Sequence, residues 1–202
     1  TNKYLIALND GMVYNLKKHK ARPGIPDDYL SACIPHSYIE YTEDDEEVER
    51  VHSFLEKVFP DKTLRTYFLD ETSDLFLGGN PRKIISIWSG RGDNAKSITD
   101  KLVELVLGKR YNVKVPTSLI TGKRTQSSQA CPELARAGNG VRRIVAQEPN
   151  KGAQANVGLL KELSGNDSFF CRGLYSDGVD IDPLFMLTLV CNDLPRLSAD
   201  DP

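Results

Sequence analysis

From about Ile84 onward, short β-rich runs alternate with helical ones, which predicts an α/β fold with a mainly parallel sheet and helices on both faces. Two further observations support that class. A glycine-rich octapeptide, Gly90 to Ser97, stands between a strand-like run and a helical one. Two later strand-like runs end in polar residues, Glu148 and Asn192, at the strand edge where open α/β sheets bind ligands. The residues before this series read as a separate part of the chain, giving an expected division into residues 1–76 and 77–202.

Taken in order, Tyr4 to Leu8 is a short apolar stretch followed by a turn at Asn9-Asp10-Gly11. Basic residues from Lys17 to Arg22 precede Pro23, Gly24 and Pro26, which interrupt any long element. A helix is expected from near Thr42 with Asp45 completing its cap. Val48, Val51, Leu55 and Val58 recur at its helical spacing, and the acidic run Glu43 to Glu49 reads as its solvated face. Ile84 to Trp88 reads as a buried strand, Ser97 to Leu107 as an amphipathic helix, and Val113 to Ile120 as a strand broken at Pro116. Pro132 to Ala137 is a short helix, Arg143 to Ala146 a strand, Asn156 to Leu163 a helix, and Phe185 to Val190 a closing strand.

A length of 202 residues allows one or two domains, and 40% apolar with 27% charged residues suits an ordinary globular chain. No apolar run approaches the roughly 20 residues that cross a bilayer, so no membrane partner is expected. Four scattered cysteines and three histidines fit no disulfide or zinc spacing, which points to reduced thiols and an intracellular setting. A net charge of -2 argues against a surface that coats nucleic acid throughout, but leaves room for a motor that grips one strand at a few residues.

The octapeptide Gly90-Arg91-Gly92-Asp93-Asn94-Ala95-Lys96-Ser97 carries the chemistry. Glycines let backbone N–H groups turn toward phosphates, and the following helix N-terminus adds positive partial charge. Lys96 is placed to reach the β- and γ-phosphates of ATP, and the Ser97 hydroxyl to ligate Mg²⁺. Ala95 stands where the general motif has its second glycine, and a left-handed backbone there would cost about 1–2 kcal/mol. At the strand tips, Glu148 is a candidate for the Mg²⁺ shell or for polarising water, and Asn192 for contacting the γ-phosphate. Each is also, taken alone, an ordinary turn residue.

Beyond the phosphate loop, the order of segments resembles a superfamily 3 helicase, of the branch shared by phage and plasmid primases and large DNA viruses, including the poxvirus-type primase-helicase. Ile87 to Asn94 looks like its first motif, Pro132-Glu133-Leu134-Ala135 like a short helix before the second, and Arg143 to Gly152 like the second. Lys161 to Asp167 with Arg172, Leu174 and Tyr175 is similar to the motif peculiar to the superfamily, and Leu189 to Pro195 to the third. Asn9 to Val13 and Arg22 to Tyr29 match the phrasing of its region ahead of the motor, which implies a small, mostly helical region over residues 1–76. Two positions depart from the pattern: Ala95, and Gln147, which leaves Glu148 as a lone acid where other branches pair two.

The resemblance implies a P-loop NTPase core of AAA+-like, three-layer type that hydrolyses ATP with Mg²⁺ and moves along single-stranded DNA as a ring, a hexamer in the full protein. A fused primase domain is often present. It implies catalytic roles for Lys96, Glu148 and Asn192, and a setting, for a virus, at the site of genome replication. It places further basic residues, including an arginine that completes a neighbouring subunit's site, after Pro202, so that residues 77–202 would be a core truncated at its C-terminal end. A hairpin from Ser168 to about Ile181, turning at Asp177-Gly178, offers Arg172 and Tyr175 to DNA, although Asp177, Asp180 and Asp182 make its tip acidic. Arg172 serves equally as a structural ion-pair partner. Two other classes remain: a nucleotide-binding assembly module with little hydrolysis, and a small-molecule P-loop kinase, against which the absence of an evident lid counts.

Overall fold

The computed structural model describes residues 2–122, 129–138 and 140–197. Its first 34 residues depart from the mostly helical region expected. β1 (Leu5–Leu8), β2 (Met12–Asn15), β3 (Lys20–Pro23) and β4 (Cys33–Ile34) form a sheet in the order β3-β2-β1-β4, with only the β1–β4 pair parallel. The turns explain it. Gly11 takes φ +82° between β1 and β2 while Asp10 accepts the Met12 N–H at 3.1 Å, and Asn15 accepts those of Lys17 and Lys18. Pro23, which has no N–H to give, ends the edge strand β3.

The α-helices ahead of the second half lie in the stretch that follows, α1 (Glu46–Val58) and α2 (Lys62–Ser73). Asp45, not Thr42, occupies the N-cap position of α1, and its carboxylate instead accepts from the Thr42 N–H and hydroxyl. Of the apolar positions expected to face inward, Leu55 is buried, whereas Val51 remains 48% exposed.

The second half is the alternating series: β5 (Ile85–Ser89), α3 (Lys96–Tyr111), β6 (Asn112–Val115), α4 (Pro132–Ala135), β7 (Arg143–Gln147), α5 (Val157–Ser164), β8 (Phe169–Arg172), β9 (Gly178–Ile181) and β10 (Met186–Cys191). Four strands make one parallel sheet, ordered β5-β10-β7-β6. Side chains alternate across it, as the pleat requires. Ile144, Ala146, Leu187 and Leu189 pack with α4, α5 and the β8–β9 hairpin on one face. Met186 and Trp88 pack with α3, α2 and β1 on the other.

Within this sheet β10 is buried along its whole length, because it has partners on both sides. β5 has only one. It is an edge strand with Ile87 49% exposed, not the buried strand its composition suggested. The run after Val115 also ends early: Pro116 leads into a single 3₁₀ turn, Thr117–Leu119.

Candidate nucleotide site

Parallel register places three functional candidates on one edge. β5, β7 and β10 end at Ser89, Gln147 and Cys191, and Ser89 and Gln147 pair with Cys191 and Val190 respectively. Gly90, Glu148 and Asn192 are therefore each the first residue past a strand, side by side at the C-terminal edge. Two backbone bonds carry the pairing into the loops, Gly90 N–H to Cys191 O at 3.3 Å and Glu148 N–H to Val190 O at 2.9 Å.

The loop from Gly90 wraps around the Lys96 ammonium. Lys96 Nζ donates to Gly90 O at 2.5 Å, Asn94 Oδ1 at 3.0 Å and Asn192 Oδ1 at 2.9 Å, with Arg91 O at 3.3 Å. Asn192 Nδ2 in turn donates to Glu148 Oε2 at 3.3 Å. A line of hydrogen bonds thus joins loop lysine, strand-tip amide and strand-tip carboxylate. Gly90 leaves room for the Asn94 amide: a Cβ there would lie 1.9 Å from Asn94 Nδ2 and displace that side chain.

Ala95, at the N-cap of α3, adopts φ 60° and ψ 6°, the left-handed region where the methyl is unfavourable. Asp93 (φ 60°) and Glu148 (φ 54°) share that strain. Three non-glycine residues held left-handed around one loop is the kind of backbone tension that the surrounding structure must maintain. Ser97, in the first turn of α3, is exposed at the same edge.

Beside the loop, a cavity of about 370 Å³ is lined by Phe59, Leu64, Tyr67, Trp88, Thr99 and Lys96 among others. Aromatic contacts shape its wall, with Phe68 centred 4.6 Å from Phe59 and 5.6 Å from Trp88. Thr99 is 2% exposed and its hydroxyl has no partner among the described residues. Glu71 also borders the cavity, and its burial pushes its carboxyl above the usual range against the opposing pull of Arg82. The composition of the helices did not reveal this wall; only the packing of α2 on β5 assembles it.

The donor set at the edge suits a hard cation. Ser97 and Glu148 supply oxygen, and Mg²⁺ ordinarily takes one or two carboxylates while phosphate and water complete its shell. No group of three or more His, Cys, Asp or Glu that could hold a metal by themselves occurs among the described residues.

Arg172 and Tyr175 lie apart from this edge, on the separate β8–β9 sheet. Arg172 pairs with Gly178, so the hairpin loop runs from Gly173 to Asp177 rather than turning tightly at Asp177-Gly178. Tyr175 stands fully exposed at its tip with φ 54°. Among the described residues Arg172 forms no ion pair.

Sequence reasoning passed over Asp100 and Arg143. Arg143 is 0% exposed at the start of β7, its Nη1 lies 2.7 Å from Asp100 Oδ1 on α3, and its guanidinium sits 5.0 Å from the Trp88 ring centre. Nε donates to Thr188 Oγ1 and Nη1 to Asn112 Oδ1, both at 3.1 Å. Burial lowers the Arg143 pKa, and Asp100 opposes that shift. A charged residue opening an otherwise apolar strand was the available signal.

Several viral proteins are similar over three quarters or more of this chain. A provisionally named helicase of Invertebrate iridescent virus 3 is 41% identical over 200 residues, covering 97% of this chain and 21% of the relative. One from Invertebrate iridescent virus 6 is 38% identical over 205 residues, covering 99% and 21%. One from Frog virus 3 is 42% identical over 157 residues, covering 76% and 16%. The chain therefore spans about a fifth of the length of the relatives it matches. No family model matches. Among solved structures, the apo C-terminal region of NrS-1 superposes with a TM-score of 0.58 at 13% identity, over 76% of this chain and 36% of that one, a likeness of fold. Among the described residues no helix is long and apolar enough to cross a membrane.

Proposed function

We propose that this chain is the ATPase core of a DNA helicase, of the superfamily 3 kind that its motif order resembles. The observation that carries the reading is the bonded line from Lys96 through Asn192 to Glu148, laid along the C-terminal edge of a parallel sheet. Helicase-named relatives from large DNA viruses support it.

Residues 90–97 take the phosphates, and Lys96 exchanges its loop carbonyls for the β- and γ-oxygens. Ser97 and Glu148 would hold Mg²⁺, which neutralises charge on those oxygens. Glu148 orients and polarises the attacking water, while Asn192, already bonded to both Lys96 and Glu148, contacts the γ-phosphate. The base and ribose enter the cavity against Tyr67 and Trp88, whose volume falls within the usual 300–1,000 Å³ of ligand pockets. Single-stranded DNA is the track, met in part by Tyr175 and Arg172, and the working form is a ring of copies, with or without a primase in the same polypeptide.

A second reading, a nucleotide-binding assembly module with little hydrolysis, is favoured by the strained Ala95 and by Glu148 being the lone acid of its strand tip. Steady-state ATP hydrolysis with and without single-stranded DNA, together with unwinding of a tailed duplex, separates the two. DNA-stimulated turnover and strand separation support the motor; tight binding with neither supports the module.

A further inference from the structure

Gln147 occupies the position beside Glu148 where a second acid would complete a pair, and the structure shows what it does instead. Its Nε2 donates to Asp100 Oδ2 at 2.6 Å. Asp100 lies one helical turn after Lys96 on α3 and is 2% exposed, held from its other oxygen by the buried Arg143 guanidinium at 2.7 Å. Lys114 approaches the same carboxylate only to 3.9 Å and spends its closer contact, 3.0 Å, on Glu104. Asp100 is thus a fixed acceptor, anchored to the start of β7 by Arg143 and to its end by Gln147.

These contacts close a circuit. Lys96 connects through one turn of helix to Asp100, Asp100 bonds to Gln147, Gln147 precedes Glu148, and Glu148 returns to Lys96 through Asn192. Glu148 itself sits at φ 54°, a conformation that a non-glycine residue keeps only when its neighbours hold it. We propose that Asp100 and Gln147 act as a positioning clamp: their hydrogen bond sets the separation of the phosphate-loop helix from the strand tip, and so the placement of Glu148 against the nucleotide. This rests on the nucleotide-site reading above. Neither residue is proposed to touch the reacting atoms.

The test uses Gln147 variants of the full chain, because Asp100→Asn alone would leave Arg143 buried without its counter-charge and endanger the fold. Gln147→Met keeps length and loses the donor. It should bind ATP as wild type does and lose roughly 10- to 100-fold in kcat, the effect of a misplacement on the order of 1 Å. Gln147→Glu sets two carboxylates against each other. Its kcat should fall further at neutral pH and recover as the pH is lowered and one of them takes a proton. Combining Gln147→Glu with Asp100→Asn exchanges amide and carboxylate and restores the bond, with the negative charge moved one side chain further from Arg143; in the folded exchange variant kcat should return toward wild type. Wild-type kcat in Gln147→Met, or an exchange variant that folds yet stays as slow as Gln147→Glu, overturns the clamp. Those results would leave the nucleotide site standing. Absence of ATP binding by the unaltered chain would instead remove both.

Discussion

Lys96 Nζ and Asn192 Oδ1 lie 2.9 Å apart although 96 residues separate them in sequence. The contact exists because β10 inserts beside β5, bringing the tip of one strand against the loop of the other. The lysine has four oxygen acceptors within 3.3 Å, Gly90 O, Arg91 O, Asn94 Oδ1 and Asn192 Oδ1, more than its three N–H groups can serve at once.

Lys96→Ala should abolish measurable ATP binding while leaving the fold intact. The ammonium supplies charge-assisted bonds whose loss costs on the order of 3 kcal/mol, roughly a hundredfold or more in Kd. Calorimetric titration reads it directly, and wild-type affinity would remove the phosphate-loop assignment.

Ala95→Gly should stabilise the chain by on the order of 1 kcal/mol, since glycine accepts φ 60° without the methyl penalty. ATP affinity should hold or rise. A lower melting temperature, or weaker binding with the fold unchanged, would show the methyl to be adapted to its place.

Glu148→Gln should bind ATP and turn it over roughly 10²–10⁴-fold more slowly, because the amide keeps the shape but cannot accept a proton or carry charge. Single-turnover hydrolysis at saturating ATP is the measurement. Unchanged turnover would return Glu148 to the role of a strand-ending turn residue.

Tyr67→Ala should weaken ATP by about tenfold, given that aromatic–base stacking contributes about 1–3 kcal/mol. Inorganic tripolyphosphate, which has no base, should bind both forms equally. Equal loss for both ligands, or for neither, would place the base elsewhere.

Glu71 gives a pH dependence with a definite sign. Burial holds its folded-state pKa above the unfolded value, so its ionisation opposes folding. That contribution is absent below the ordinary carboxylate pKa, and stability is lost as pH rises from there through the raised value. Glu71→Gln should therefore melt higher than wild type at about pH 8 and lose that advantage near pH 4. Parallel melting curves across this range would dissociate Glu71 from the effect.

Much of the edge was legible because its signals are local. Gly90, Ala95 and Lys96 sit within one strand–loop–helix, and Glu148 and Asn192 each follow a recognisable apolar run. The N-terminal sheet was not, since β1 to β3 have four residues each and β4 two, too short for a period of two to be told from a helical fragment. Asp45 in place of Thr42 at the head of α1 is a three-residue boundary shift, accompanied by local bonds in which the Asp45 carboxylate accepts from the Thr42 N–H and hydroxyl.

By itself, the sequence determined the alternation of strands and helices from Ile84 onward, the glycine-rich loop ahead of α3 and the polar residues Glu148 and Asn192 at the strand tips, all consequences of neighbours in the chain. Tertiary structure decided the lateral order β5-β10-β7-β6, which no single segment encodes. From that order follow the exposure of Ile87 on an edge strand, the Lys96–Asn192 bond, and the burial of Arg143 against Asp100. A buried arginine and its carboxylate are stable only as a pair. Their partnership could become visible only once β7 was packed under α3.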